Sequence, residues 1–406
     1  MANDTDILAQ LTELRRLFAE SRPSDRNIVE NYAWTICKVL NSNYEKIGAL
    51  QCRQLLAEYM KLDIERPSKL HSAMLNAAAK IALAFVDFHF IPFLGLWDIN
   101  NLRDEDFAQQ KDTSGKAFPS LAERVAKAYI ISSLMRQDEV LPPQMAEKMN
   151  AIVSAQGYHR PLPMVVTRIT EALSNGRKIR FASLVSADGT EAMCELHNLK
   201  PNPAVPTISR SAHYVNVGNL YDVVLKDKKS GDGTNVHIGL LASKSIADVF
   251  PTLTGYVEHI DAEHKHIHIY DSLSRHLVAS GQRLTVQVGS FVRIVPVVPA
   301  KNKFKSAIIL KVLPQNEGRE TFGLREIKIT FVNMEKGFVA WDLTDSSQPI
   351  IEAGTTEPSY TSGYIPTDFF LEHRMSIPKV GDSLRAVMFL KRGKDAMKRP
   401  HVVLIV

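Results

Sequence analysis

Aromatic and basic side chains that could hold an unstacked nucleic-acid base lie close together in residues 329–341 of this chain of 406 residues. A strand-like run is followed by a turn that ends in Lys336 and Gly337, and a second strand-like run begins at Phe338. Because alternate side chains of a strand share one face, Phe338 should face one way and Trp341 the other. An aromatic ring beside a lysine on an exposed sheet face can bind an unstacked base. The stretch therefore predicts a surface that binds single-stranded nucleic acid.

The same stretch resembles the first ribonucleoprotein motif of cold-shock domains, in which an aromatic strand precedes Asn-x-Glu-Lys-Gly-Phe. The matching positions are Phe331, Asn333, Glu335, Lys336, Gly337 and Phe338. Ala340 departs from the motif, because the family has a second stacking phenylalanine there. The resemblance implies an OB-type barrel that binds single-stranded RNA or DNA with little sequence preference, with Phe331, Lys336 and Phe338 at the binding face.

A second copy of the pattern lies upstream, in residues 255–270. The family's opening Gly-x-Val is present, and Asp-Ala-Glu occupies the turn. Where cold-shock domains place aromatic rings, this copy has His259, His266 and His268. Imidazole is planar and can stack on a base, so we expect these histidines to contact nucleic acid. An inert exposed strand is the alternative, and a metal site is disfavoured because no cysteine or carboxylate set with ligand spacing accompanies the histidines.

The third strand of each copy supplies a further candidate residue, His276 in one and Tyr364 in the other. Both are expected where the second motif of cold-shock domains has its phenylalanine. Pro366 should lie near a sheet edge, because proline cannot donate to an inner ladder.

A Val-Gly dipeptide before an alternating strand occurs three times, beginning at Val217, Val288 and Val380. Each strand is followed by a charged loop and an apolar closing strand. Five strands with a charged fourth-to-fifth loop describe an OB-type barrel. The unequal spacing of the three dipeptides indicates tandem domains with insertions rather than a solenoid.

Basic side chains in two of these loops are candidates for phosphate contacts. They are Lys301, Lys303 and Lys305 in one loop and Lys391, Arg392, Lys398 and Arg399 in the other. A merely solvated loop is the alternative, and the recurrence of the loop at the same place favours the contact.

The first part of the chain has apolar residues at helical spacing, punctuated by prolines. The expected helices are residues 4–20, 25–41, 44–62, 68–90, 120–137, 142–156 and 163–175, the last ended by Gly176. They suggest antiparallel helical hairpins similar to a helical-repeat scaffold, although no clean repeat period is present. Residues 94–106, which contain Trp97 and several acids, are either a core turn or a docking surface for a protein partner. The apolar stretch 73–97 includes charges that would be costly in a bilayer, so no membrane span is expected.

From residue 177 the pattern changes to period two and to β-branched residues. Residues 178–185 and 190–197 should pair around Asp188-Gly189, a dipeptide typical of hairpin turns. Residues 346–363 are interpreted as an insertion between the second and third strands of the last barrel.

Composition adds only broad limits. The net charge of +5 permits nucleic-acid binding without arguing for it, although residues 391–399 are locally basic. The three cysteines form no CxxC pair, and the polar N-terminus does not resemble a signal peptide, so a reduced cytoplasmic location is expected.

Common catalytic motifs are missing from the sequence, including the phosphate loop, the Gly-x-Ser-x-Gly elbow and HExxH. Asp345, Glu352 and Glu357 lie in an irregular stretch without a base or metal partner. We therefore expect a protein that is not an enzyme and that needs no cofactor or metal.

Together these features predict a multidomain α+β chain, with an all-helical scaffold followed by tandem small β-barrels of OB or cold-shock type. The expected domains are residues 1–160 (helical), 161–248 (a diverged β-module for which an OB-like barrel is one candidate fold), 249–316 and 317–406 (cold-shock-like). The expected function is non-catalytic binding of single-stranded nucleic acid, RNA in the first instance, with the helical domain recruiting a protein partner. The rival is an assembly subunit of a multi-component system, such as phage defence, whose barrels bind protein.

Overall fold

The computed structural model describes residues 26–62, 68–85, 143–174, 177–202, 215–228, 233–280, 285–297, 305–354, 358–393 and 397–406, with single residues elsewhere. The chain divides into two compact units. Unit 1 comprises Met1–Pro163, His197–His213 and Tyr221–Ser243, and unit 2 comprises Met164–Leu196, Tyr214–Leu220 and Lys244–Val406. We refer to residues 162–241, 253–313 and 325–405 as the first, second and third modules.

Unit 1 contains the helices α1 (Arg26–Lys61), α2 (Ser68–Phe85) and α3 (Pro143–Ala155). The sequence predicts a break near residue 42, but the helix continues to Gly48, whose φ of 78° is not helical. Glycine tolerates a positive φ because it has no Cβ, so the interruption falls there. None of the helices within the described ranges is long and apolar enough to cross a bilayer.

Strands also contribute to unit 1. β1 (Gln110–Lys111) pairs with β2 (Ala117–Phe118), so the first 160 residues are not purely helical. β6 (Leu199–Lys200) runs parallel to β8 (Thr234–Leu241), which pairs antiparallel with β7 (Leu220–Asp227). Val224 and Ile238 from these strands lie in the same apolar core as residues of α1, including Ile36 and Leu55. The helices and these strands are therefore stabilised by one shared core.

Unit 2 begins with a meander of β3 (Leu162–Ser174), β4 (Arg177–Ser186) and β5 (Glu191–Glu195). The helix predicted for residues 163–175 is therefore wrong. Residues 165–170 are mostly β-branched, which favours a strand, and a short apolar run does not distinguish the two structures by periodicity. The hairpin around Gly189 is confirmed, and this glycine has a φ of 85°.

The second module is a closed five-stranded barrel, as predicted. Its strands are β9 (Leu253–Asp261), β10 (His266–Asp271), β11 (His276–Ser280), β12 (Phe291–Val297) and β13 (Ser306–Leu313). Their order around the barrel is β11-β10-β9-β12-β13, and β11 closes it by pairing in parallel with β13. Alternate side chains, including Val257, Ile269 and Ile294, fill its interior.

The third module repeats this strand order but forms a five-stranded sheet instead of the closed barrel that the sequence predicts. α4 (Gln315–Phe322) lies between the second and third modules. The elements of the third module are β14 (Arg325–Asn333), β15 (Phe338–Leu343), β16 (Ser362–Pro366), α5 (Thr367–Glu372), β17 (Ser383–Arg392) and β18 (Lys398–Ile405). The sheet order is β16-β15-β14-β17-β18, so Pro366 ends an edge strand as expected. The predicted insertion does lie between β15 and β16.

The three Val-Gly dipeptides form the same turn three times. In each, the glycine has a positive φ, of 92° at Gly218, 86° at Gly289 and 97° at Gly381. The turn makes two backbone hydrogen bonds, of 2.8 and 2.9 Å in every copy, to a single residue of the module's first strand. The bonded pairs are Val166 with Gly218 and Asn219, Val257 with Gly289 and Ser290, and Ile329 with Gly381 and Asp382. The sequence repeat is thus a structural repeat.

Acidification should destabilise unit 1 through His237 of β8. Burial, and secondarily Lys127 and Lys226, lower the pKa of His237 to about 4. Its Nε2 atom is buried and has no hydrogen-bond partner among the described residues. The unfolded chain therefore takes up a proton that the folded chain does not, and the free energy of unfolding should fall as pH drops from about 6.5 to about 4.

His237→Leu should flatten this dependence in urea denaturation measured at several pH values. His259→Gln, at an exposed position of unit 2, is the control. A variant at 237 that keeps the wild-type slope contradicts the assignment.

Candidate nucleic-acid interface

The third module presents three aromatic rings on one exposed sheet face. Phe331 of β14 pairs with Ala340 of β15, and Ala340 pairs with Tyr364 of β16. Phe338 lies between the two outer rings, with its centroid 6.1 Å from that of Phe331 and 6.2 Å from that of Tyr364. Phe331 and Tyr364 are each 51% exposed. We call Phe331, Phe338, Tyr364 and the neighbouring Lys336 the stacking face.

The opposite face of the same strands carries the core. Val339 and Trp341 are fully buried, as the predicted alternation requires. The stacking rings are therefore not needed to fill the interior of the sheet.

The turn before Phe338 is held by local hydrogen bonds. The Lys336 N–H donates to Asn333 Oδ1 at 2.8 Å, and Gly337 has a φ of 69°. The Thr367 N–H, at the start of α5, donates to the Gly337 carbonyl at 2.9 Å. The turn thus fixes the backbone beside the rings, while the Lys336 side chain extends into solvent.

Histidines replace the aromatic rings on the corresponding face of the second module. His268 pairs with His259 across β9 and β10, with ring centroids 5.6 Å apart. His268 also stacks on His276 at 5.3 Å, with ring planes 7° apart. His266, on the same strand, stacks on His264. The structure therefore brings the predicted histidines together on one surface.

The neighbours of His276 determine its hydrogen bonding and the direction in which its pKa is shifted. His268 Nδ1 lies 3.1 Å from His276 Nε2, and a hydrogen bond there needs one nitrogen to donate and the other to accept. Packing around the ring, followed by the charge of His268, lowers the pKa of His276, although the residue as a whole remains exposed. Within the described ranges, no group of three histidine, cysteine or acidic residues is arranged to hold a metal ion.

His276 and Tyr364 do not occupy equivalent positions, contrary to the prediction. The first strand of each of these modules contains a β-bulge, just before His259 in the second module and just before Phe331 in the third. His259 pairs with His268 and Phe331 pairs with Ala340, so His268 corresponds to Ala340. The partner of His268 on β11 is Val278, whereas His276 pairs with Tyr270, two residues along the ladder. Aligning the two sequences by this motif alone fails because the third strand pairs with the second strand in a different register in each module.

Part of the histidine face is covered by the third module. Phe389 of β17 is fully buried and stacks on Tyr270 of β10, with centroids 4.0 Å apart and planes at 10°. Tyr256 and His401 contact the same phenylalanine ring. The second module therefore uses one end of this face for packing and leaves the histidine end accessible.

Several of the predicted basic side chains form ion pairs with acidic residues near the contact between the second and third modules. Lys391 forms an ion pair with Glu258 of β9. Lys398 and Lys305 both pair with Glu352, a residue that is 7% exposed in the insertion between β15 and β16. No local pattern in the sequence indicates these pairs, because the partners are at least 46 residues apart in the sequence.

The remaining basic candidates differ in position. Arg392 and Arg399 are exposed at the facing ends of β17 and β18. Lys301 and Lys303 lie outside the described residues. Their exposure makes the two arginines candidates for contact with phosphate.

Comparison with solved structures finds a likeness to one named "drosophila Unr CSD456". The match has 10% sequence identity and a TM-score of 0.18, and it covers 61% of this chain and 97% of that chain. At this TM-score the superposition establishes no shared fold. No protein-family model and no curated protein sequence matches the chain.

The stack of Phe389 on Tyr270 should be a major source of stability. Phe389→Ala removes a fully buried ring and should lower the free energy of unfolding by about 3–5 kcal/mol. Phe331→Ala, on the exposed face, should change it by less than about 0.5 kcal/mol. Guanidinium denaturation of both variants tests this, and similar decreases at the two sites would refute the packing role of Phe389.

Proposed function

We propose that this chain binds single-stranded nucleic acid, RNA in the first instance, through the stacking face of the third module. The observation that carries the proposal is the group of three neighbouring rings on an exposed face, beside a turn that presents Lys336. Each ring can stack on one base whatever its identity, so the expected binding has little sequence preference. No catalytic role is proposed.

Exposure of these rings favours a ligand over a purely structural role. Phe331 and Tyr364 leave half of their surface in water, while Trp341 and Val339 already fill the core behind them. Grouped exposed apolar side chains commonly mark interaction sites. Lys336 adds a positive charge beside them, which suits a polyanion.

The second module would contribute a weaker, adjoining surface. His259 and His268 can stack on bases, and protonation would add attraction to phosphate. Because Phe389 covers Tyr270, a base cannot stack on that ring. We expect it to extend binding rather than to initiate it.

The rival function is assembly, with the same aromatic face binding a protein and unit 1 recruiting a further partner. A salt titration separates the two. Phosphate contacts make the logarithm of affinity fall linearly with the logarithm of salt concentration, whereas a largely apolar protein interface has little salt dependence.

Replacement of Phe338 by alanine should weaken binding to an unstructured oligonucleotide by about 1–3 kcal/mol, the usual value of one base stack. Fluorescence anisotropy with a labelled oligouridine measures this. Leu371→Ala is the control, because Leu371 is 64% exposed on α5 and outside the stacking face. Unchanged affinity in a folded Phe338→Ala variant would exclude stacking at this ring.

Two double variants distinguish basic residues that bind phosphate from those that form ion pairs within the protein, among residues 391–399. Arg392→Gln with Arg399→Gln should flatten the salt slope on a single strand by about 0.7 for each phosphate that the variant no longer binds. Lys391→Gln with Lys398→Gln should instead lower stability, because it leaves Glu258 and the buried Glu352 without these partners. If the arginine pair leaves the slope intact, the exposed arginines are only solvated.

A further inference from the structure

The first hairpin of the first module is longer than its counterparts, when the bulge in each first strand is taken as a common reference. Beyond the bulge, three residue pairs continue the ladder in the second module and three in the third. In the first module seven pairs follow, from Arg168 with Ser183 to Ser174 with Arg177. The four additional pairs lengthen the hairpin by about 14 Å. We call residues 168–174 and 177–183 the β-arm. Its four outer pairs, from Glu171 with Arg180 to Ser174 with Arg177, lie beyond the residues of β4 that pair with β5, so this outer part is a two-stranded ribbon.

Both faces of the β-arm meet solvent. Glu171, Ala172 and Leu173 are consecutive and all exposed, and consecutive strand residues point to opposite faces. Lys178 and Arg180 are exposed on the other strand. A strand that packs on a core has one protected face, so this part of the hairpin projects from the module.

The β-arm is basic and ends near an exposed leucine. Arg168, Lys178 and Arg180 have exposed side chains, and Glu171 is the one acidic residue of the β-arm, 3.7 Å from Arg180. Leu173 is 76% exposed. A positively charged ribbon with an apolar residue toward its end is complementary to a polyanion that has an apolar interior.

We propose that the β-arm enters the major groove of a DNA duplex. A two-stranded β-ribbon fits the roughly 12 Å width of that groove in B-form DNA, whereas the deep, narrow major groove of A-form RNA excludes side chains. Lys178, which pairs with Leu173, and Arg180 share a face with Leu173. These two basic side chains would contact phosphates on the groove walls, and Leu173 would make apolar contact with base edges. The site is separate from the stacking face and does not depend on its ligand.

Single strands are a poorer match for this element. Binding of unstacked bases uses aromatic platforms. The β-arm has one aromatic residue, Phe181, and it is partly covered near the base of the hairpin. The chemistry of the β-arm is therefore that of groove binding, not of base stacking.

Two variants of the full chain test the proposal. Deletion of residues 170–173 and 178–181 removes four pairs and keeps the alternation of faces, because an even number of residues leaves each strand. Lys178→Gln with Arg180→Gln keeps the backbone. Lys38→Gln with Lys61→Gln, at exposed positions of α1, is the charge-matched control.

The measurement is fluorescence anisotropy across a salt series, with a labelled 20-base-pair DNA duplex, an RNA duplex of the same sequence and a single-stranded oligonucleotide as probes. On duplex DNA the arginine–lysine variant should flatten the salt slope by about 0.9 for each phosphate that it no longer binds, or about 1.8 for both, and the shortened β-arm by at least as much. Neither should alter single-strand affinity, and Phe338→Ala should not alter duplex affinity.

Three outcomes would overturn the proposal. One is a slope on duplex DNA that the arginine–lysine variant leaves equal to that of the control. Another is an equal decrease on duplex RNA, which would indicate binding to phosphates outside the major groove. The last is an equal decrease on the single strand, which would assign the β-arm to the single-strand site. Should the shortened variant fail to fold, the arginine–lysine variant decides the result.

Discussion

One inserted residue in the first strand of each module determines which side chains can meet a ligand. In the third module Ile327 and Ile329 point inward, and without the bulge residue 331 would do the same because side chains alternate. The extra residue reverses the inward and outward alternation of the side chains that follow it, so that Phe331 points outward and Val332 packs inward. His259 and Arg168 occupy the same position in the other two modules.

The Val-Gly turn stabilises that reversal. A bulge leaves backbone groups without their ladder partners, and these groups must be satisfied elsewhere. In all three modules the turn both donates to and accepts from the strand residue that precedes the bulge. The glycine is required because the turn needs a positive φ, which explains why this dipeptide is shared while the outward residue differs.

Local patterns therefore predicted the parts of the site that depend on local geometry. The alternation in residues 338–341 placed Phe338 outward and Trp341 inward, and the turn before Phe338 followed from its own residues. The predictions that failed depend on contacts between residues distant in the sequence, or on patterns that fit both a helix and a strand. The strand at residues 162–174 has a helix-compatible apolar pattern, and its partner strand determines the outcome. The pairs of Glu352 and the stack of Phe389 join residues that are far apart in the sequence, and neither leaves a local signal.

The burial of Phe389 limits how the protein can be divided. A fragment that carried the second module alone would expose Tyr270, and one that carried the third alone would expose Phe389. Each fragment would then display a flat aromatic surface that resembles a base-binding platform but that the intact chain covers. Solubility would fall, and an oligonucleotide bound by such a fragment would report on an artificial site. The second and third modules are therefore best regarded as a single structural unit.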